Sequence, residues 1–335
     1  MPSLYMTQPG SRLELEAGRL LCTLGDDVLL AVSSARVDQV IVVGGCNVTT
    51  PALAFLLDRG IGLIFLSAGG TIRGRLESGD SGQAGRLAVR RAQYRRADDP
   101  AFCLALGKAI VGGKIRNCRT RCMELDQTGA GPAVTAITRL REALGEIEEA
   151  GDLATLMGIE GRADRWYFGV LRQHLRSPWT FPGRVRRPPP DPVNALLSLV
   201  YTLLHEHCRA ALAAAGLDPA LGFLHQPRSG RASLALDLME EFRPVIADPV
   251  VWTLLNKRIL SPADFTVNRP EGGVRLTPEG WRAVAEQYAH RLETGIRVPG
   301  RTTRTTYRKL LEVQARQVRR VIEGEQGCYE PFLSK

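Results

Sequence analysis

The chain has 335 residues and a mass of 36.7 kDa, with 44% hydrophobic and 24% charged residues, the balance of a soluble globular protein with room for two domains. No apolar run reaches membrane-spanning length, and the N-terminal MPSLYMTQPG lacks a signal peptide's apolar stretch, so a cytoplasmic protein without a membrane partner is expected. The net charge is +9, and only five of the 44 basic residues are lysine; such an arginine excess suits bidentate phosphate contacts and raises the expectation of a nucleic-acid partner.

The seven cysteines are odd in number and irregularly spaced. Cys118 and Cys122 have no matching second pair, so reduced, mostly buried thiols are expected rather than a zinc site.

Residues 1–78 read as a small β domain. Short apolar or alternating runs (Leu4–Thr7, Arg12–Leu15, Arg19–Leu24, Asp27–Val32, Val37–Val43, Ile61–Ser67, Thr71–Leu76) are punctuated by Gly25-Asp26, Gly44-Gly45 and Gly69-Gly70. One helix interrupts them, with Thr50 as its expected N-cap, Pro51 at the first helical position and Gly60 closing it. Residues 79–86 form a polar linker.

From residue 87 the period becomes helical and continues to 323. Ala88–Arg96 and Ala101–Leu125 carry many basic residues, including Arg90, Arg91, Arg95, Lys108, Lys114 and Arg116, and read as two solvated basic helices able to track phosphates. Ala133–Ala150 is amphipathic. In Leu153–Leu175 the apolar positions form one helical stripe, and Glu160 falls on it between Gly158 and Gly161, glycines expected to clear space around a core-facing carboxylate. Either a metal ion or one of the many arginines could compensate it.

Ser177–Pro192 is a proline-rich loop bearing Arg184, Arg186 and Arg187. An apolar helix follows from Asp191-Pro192 to about Ala215. Its His205, Glu206, His207 and Cys208 are adjacent in sequence and point in different directions on a helix, so they do not converge on one ion. Pro249–Leu260 is a further helix, Val267–Leu276 a hairpin turning at Glu271-Gly272-Gly273, Thr277 the cap of the next helix, and Thr302–Glu323 a last basic helix. Residues 324–335 read as a poorly ordered tail unless a partner holds them.

The densest chemistry lies in LGFLHQPRSGRASLALDLMEEFRP, residues 221–244. His225 stands in a turn-rich loop made by Pro227, Ser229 and Gly230. If Leu234–Phe242 is helical, Asp237, Glu240 and Glu241 crowd near one face, where like charges repel and require a cation, either Arg243 or a divalent metal. Glu160, His225 and Glu240, with Asp237 close by, make an oxygen-rich set with one nitrogen, which favours Mg²⁺ or Mn²⁺ over zinc. In a basic protein such a site suggests phosphodiester chemistry. Three outcomes share these residues: DNA integration, hydrolysis of branched or single-stranded DNA, and a non-catalytic DNA scaffold whose acids pair with arginine.

The stretches LMGIEGRADRWYFGVL, DPVNALLSLVYTLL and LGFLHQPRSGRASLALDLMEEFRP resemble the CRISPR-associated endonuclease and integrase that is the catalytic subunit of spacer acquisition, here called the Cas-one family; VDQVIVVGGCNVTTPALAFLLDRGIGLIFLS and QYRRADDP with ALGKAIVGGKIRNCR are similar too. The resemblance covers nearly the whole chain. It implies an α+β protein, a small N-terminal β-sheet domain followed by a larger, mostly α-helical catalytic domain, working as a homodimer. It implies metal ligation by Glu160, His225 and Glu240, with Asp237 lining the site, and a basic position beside the DNA at Arg243. Arg228, Arg231, Arg184, Arg186 and Arg187 are the further candidates for DNA contact. Implied partners are double-stranded DNA (an incoming fragment and a repeat array), a small dimeric CRISPR-associated adaptation protein, and an additional end-processing nuclease. Glu241 stands where relatives often have proline, which leaves its contact with the metal open.

Overall fold

The computed structural model describes residues 3–76, 83–126, 132–185, 188–267, 273–298 and 304–334. The chain gathers into two compact units: Met1–Ser81 with Val185–Thr202 and Lys257–His290 in one, and Gly82–Arg184, Leu203–Asn256 and Arg291–Lys335 in the other.

The first unit holds two four-stranded sheets. One has the order β1 (Ser3–Met6), β5 (Gln39–Val43), β7 (Gly62–Leu66), β8 (Ile72–Leu76), parallel except for the β7–β8 hairpin. The other has the order β4 (Asp27–Ser33), β3 (Arg19–Leu24), β2 (Arg12–Glu16), β6 (Asn47–Val48). β5, QVIVV, is buried along its whole length between two parallel neighbours, which is why it reads as a continuous apolar run rather than an alternating one. Helix α1 (Thr50–Asp58) adds Ala52 and Leu56 to a core with Met6, Leu13, Leu20, Val40 and Leu63. Its cap is Thr49, one residue before the expected position: the Thr49 hydroxyl accepts from Ala52 N, and Thr50 is already helical. Later segments complete this unit. Trp281 Nε1 donates to Ala68 O at 2.9 Å, and Gly70, at φ +80°, lies so close to Leu199 that a Cβ there would come within 2.8 Å of Leu199 Cδ1. β9 (Phe265–Val267) and β10 (Val274–Leu276) form the expected hairpin; residues 268–272 at its turn lie outside the described residues.

The second unit is helical: α2 (Gln83–Ala97), α3 (Pro100–Leu125), α4 (Pro132–Glu149), α5 (Leu153–Gln173), the second half of α6 (Pro192–Ala214), α7 (Ser233–Met239), α8 (Asp248–Asn256), the end of α9 (Pro278–Leu292) and α10 (Tyr307–Glu323), with a short β11 (Gly295–Arg297) and β12 (Arg304–Thr306) ladder. The strand-rich beginning and helical remainder give the α+β class expected from the sequence.

Helix α3 departs from expectation. It is a central helix packed on α4 and α5, not a solvated basic one: Leu106, Ile110, Lys114, Cys118 and Cys122, four residues apart in turn, are all buried, while Arg116 is exposed. The C-terminal segment also departs. Gly324, at φ +79°, closes α10, and the following residues fold back onto the unit, burying Tyr329 and Phe332. The seven cysteines are free thiols, five of them buried. Among the described residues no helix is long and apolar enough to cross a membrane.

Candidate active site

Between α7 and α8 the helical winding changes twice. Glu240–Phe242 is a 3-10 turn and Arg243–Ala247 a π turn. Pro244 accounts for part of this, since it has no N–H to donate to the carbonyl four residues earlier. Departures from α winding of this kind recur at functional sites, and here the effect is to send three neighbouring acids to three different places.

Asp237, the last-but-two residue of α7, turns to the preceding loop. Its Oδ2 accepts from Phe223 N (2.7 Å) and Leu224 N (3.1 Å), and its Oδ1 from His225 N (2.9 Å) and lies 2.8 Å from His225 Nδ1. Asp237 therefore fixes both the backbone and the ring of His225, whose Nε2 is left for another partner. Gly222 is needed at this loop, because a Cβ would come within 2.9 Å of Asp237 Oδ2 and 2.7 Å of His225 O.

Glu240 turns to α3 and α5. Lys114 Nζ lies 2.9 Å from Glu240 Oε2 and 2.8 Å from Asp164 Oδ1, and also contacts Glu160 Oε1. Arg243 Nη2 pairs with Glu240 Oε1 at 2.9 Å. The Lys114 and Glu240 side chains are 3% and 1% exposed, so this is an ion-pair cluster largely removed from water. Burial pushes Glu240 upward, but Arg243, Lys114 and His225 outweigh it and hold the carboxyl down at about 2. Glu160 goes the other way: burial raises it more than Lys114 lowers it. For Lys114, burial is opposed by Asp164, Glu240 and Glu160, which keep the ammonium charged well beyond neutral pH.

Glu241 turns away from this cluster. Its carboxylate accepts from Tyr329 Oη (2.8 Å), Gln314 Nε2 (3.3 Å) and Phe332 N (2.9 Å), and burial pushes it up to about 8. The three acids thus do not share a face, contrary to the helical expectation, because α7 ends at Met239.

Among the described residues no group of three His, Cys, Asp or Glu side chains is arranged as a metal site; instead the Lys114 ammonium occupies the place where Glu160, Asp164 and Glu240 meet. Two observations bear on whether a divalent ion fits. Glu240 Oε2 is buried with no directed hydrogen bond, although it lies within ion-pair reach of Lys114. The acids also already converge on a cation. The donor set around that point is carboxylates, with an imidazole whose charge acts on Glu240, the oxygen-rich chemistry that Mg²⁺ or Mn²⁺ takes.

Lys114 and Asp164 escaped the sequence reading. Lys114 was visible as a lysine on the apolar four-residue stripe of α3, and Asp164 as the residue one turn after Glu160. The glycines beside Glu160 do not clear space for it: a Cβ at Gly158 or Gly161 would meet nothing within 4 Å. Of the candidate DNA-contacting arginines, Arg228 is exposed, Arg184 is half-buried and Arg243 is committed to Glu240. Arg231 folds back on its own loop, donating to Gln226 O and to Ser233 Oγ. Arg186 and Arg187 lie outside the described residues. His205 and His207 diverge, His205 Nε2 to Ala232 O and His207 Nδ1 to Leu203 O.

The family model for CRISPR associated protein Cas1 matches residues 4–290. The chain belongs to the Cas1 family. It is 40% identical over 331 residues, 98% of this chain and 96% of the relative, to CRISPR-associated endonuclease Cas1 3 of Thermus thermophilus. A CRISPR-associated exonuclease Cas4/endonuclease Cas1 fusion of Geobacter sulfurreducens is 36% identical, over all of this chain and 59% of the fusion. The fold is that of a CAS1 protein from Thermotoga maritima, with TM-score 0.83 at 23% identity over the full length of both chains, and of a casposase bound to integration product, with TM-score 0.83 at 20% identity over 98% of this chain and 93% of the other. In this Cas1 family member the carboxylate–ammonium cluster is built by α3, α5 and the turn after α7.

Proposed function

We propose that this Cas1 family member is a divalent-metal-dependent DNA endonuclease and integrase that joins short DNA fragments into a CRISPR array by 3′-hydroxyl transesterification. The observation that carries this reading is the convergence of Glu160, Asp164 and Glu240 on one buried cation, with Arg243 and the Asp237-oriented His225 at its edge. Glu160, Glu240 and His225 through Nε2 would hold Mg²⁺ or Mn²⁺. Such an ion, when bound, supplies Lewis-acid polarisation of the scissile phosphate and lowers the pKa of an attacking hydroxyl.

The protein's own residues do the rest. Asp237 holds the His225 ring through Nδ1, so that Nε2 keeps a fixed direction. Arg243, tied to Glu240, places a positive charge beside the cluster for a phosphate oxygen. The attacking group is the 3′-hydroxyl of an incoming strand held in line with the leaving oxygen; a new phosphodiester forms as the old one breaks, and the leaving oxygen takes a proton. Tyr167 is unsuited as a covalent nucleophile, because it is buried and its hydroxyl donates to Asp248 Oδ2 at 2.9 Å.

The relatives support the reading by their names, as endonucleases, as Cas4/Cas1 fusions and as a casposase bound to integration product. Over 98% of its length this chain shares a fold, at TM-score 0.83 and 24% identity, with 36% of a chain from a Cas6-RT-Cas1–Cas2 complex. Double-stranded DNA, a second copy of the chain, a small Cas2-like partner and a Cas4-like end-processing nuclease are accordingly proposed as partners.

The test combines the protein, its small partner, Mn²⁺, a short duplex and a supercoiled plasmid bearing repeats. Joined products should form, and should disappear when the donor 3′ ends are dideoxy-terminated. Nicking without joining would leave a hydrolytic nuclease. Joined products from blocked ends, or protein trapped covalently on DNA, would overturn the mechanism.

A further inference from the structure

The segment after α10 makes contacts that the proposed chemistry does not use. Phe332 N donates to Glu241 Oε2 at 2.9 Å and Tyr329 Oη to Glu241 Oε1 at 2.8 Å. Asn117 Nδ2 donates both to Glu241 O (2.9 Å) and to Phe332 O (2.8 Å), while Asn117 Oδ1 accepts from Ser334 N at 2.8 Å. The Phe332 ring stacks on Phe242 at 6.2 Å with an interplanar angle of 7°. Pro331 sits against Gly113, where a Cβ would come within 2.4 Å of the proline ring.

The segment also returns to α10, through Gln314, Gln317 and Tyr307, but the contacts just given fall on α3 and on the turn after α7. Gly113 and Asn117 flank Lys114 on α3. Glu241 and Phe242 lie between Glu240 and Arg243 in the turn after α7. Lys114 and Glu240 are the pair those two elements bring together. The turn bearing Glu240 is a 3-10 and π winding without a regular helical ladder, so it needs outside support to keep one geometry. We infer that Tyr329–Ser334 is a positioning clasp, which ties Glu241 to Asn117 and thereby holds Glu240 opposite Lys114, Glu160 and Asp164.

The inference rests on the metal-dependent reading above only for its catalytic consequence. The clasp itself is read from the backbone. Hydrogen exchange is measured on the full chain for wild type, for Tyr329→Phe/Phe332→Ala, and for Gly113→Ala. The last substitution forces Pro331 to shift, meets Glu241 Oε2 only at an ordinary contact distance of 3.7 Å, and favours rather than weakens a helix. Far-ultraviolet circular dichroism should be unchanged. Exchange of the amides of residues 240–243 and 245–247 should rise at least tenfold in both variants. Titration with Mn²⁺ alone, followed by electron paramagnetic resonance of the free ion, should give at least tenfold weaker binding. In DNA cutting, kcat should fall while KM for DNA stays within twofold, the split expected of a positioning element.

Unchanged exchange at residues 240–243 and 245–247 in a folded variant overturns the clasp. So does faster exchange with Mn²⁺ binding and kcat both intact. If Phe332→Ala fails to fold, Gly113→Ala carries the test. If wild type binds no Mn²⁺, the metal reading falls, and the exchange data alone decide the clasp.

Discussion

Lys114 Nζ lies 2.9 Å from Glu240 Oε2, with both side chains almost wholly shielded from water. A buried ammonium among three carboxylates is in effect a cation site already filled by the chain. Replacing it should reveal the competition. Lys114→Met should lower metal-free stability by about 3–5 kcal/mol, because Glu160, Asp164 and Glu240 lose their shared partner. Mn²⁺ should then raise Tm far more in the variant than in wild type. Thermal melts with and without Mn²⁺ measure this, and equal metal-induced shifts would contradict it.

Glu160→Ala and Glu240→Ala should each abolish DNA cutting and joining, with a loss on the order of a thousandfold or more in rate. Both should retain the fold by circular dichroism. Activity at the wild-type level in either variant would remove that residue from the ligand set.

Asp237→Ala should destabilise more than it would as a mere ligand loss. The carboxylate accepts from the amides of Phe223, Leu224 and His225, and each N–H left without a partner costs about 1–3 kcal/mol. Asp237→Asn keeps acceptor capacity on one oxygen and should fall between wild type and alanine in denaturant melts. Indistinguishable melts for all three would contradict this account.

His207 gives a pH signature. Its burial, with Arg308 nearby, lowers the imidazole to about 4 against an ordinary value of 6.5. The folded state therefore keeps His207 neutral while the unfolded chain protonates it. Stability from this group is fully present above pH 6.5 and is lost as pH falls toward 4, by about 3 kcal/mol over the window. His207→Gln should flatten the stability–pH curve there, as read from urea midpoints across that range. An unaltered slope would refute the assignment.

On the surface, Arg91 and Arg95 of α2 are exposed, whereas Arg316 pairs with Glu312 at 3.2 Å and Arg319 with Glu323 at 2.8 Å along α10. Alanine at 91 or 95 should reduce the salt slope of duplex binding by about 0.9 each, and alanine at 316 should change it little. Fluorescence anisotropy at several salt concentrations makes the comparison.

The α+β class and most strands and helices were legible because alternation and helical stripes follow burial directly. That carboxylates at 160 and 240 sit against packed surface was legible too, from Glu160's place on an apolar stripe and from Glu240's place in an acid cluster bordering one. Lys114 was misread because counting basic residues along α3 treated the helix as one surface, whereas position on its four-residue stripe decides what faces inward. The fan-like spread of Asp237, Glu240 and Glu241 was hidden because it depends on α7 ending at Met239 and on partners distant in sequence, Phe223, Lys114 and Phe332. The docked C-terminal segment was invisible for the same reason: short polar termini earn order only from what they touch.

The sheet-bearing unit draws on three separate stretches of chain, and Leu199 and Trp281 close against Gly70 and Ala68 in the turn between β7 and β8. During synthesis the eight strands leave the ribosome well before those residues exist. At roughly 5–20 residues per second, the wait between Leu76 and His290 is on the order of 10–40 s. The N-terminal unit is thus the first to begin folding and cannot be completed until most of the helical unit has been made. A fragment ending near Ser81 is not a smaller version of this unit but an interrupted one.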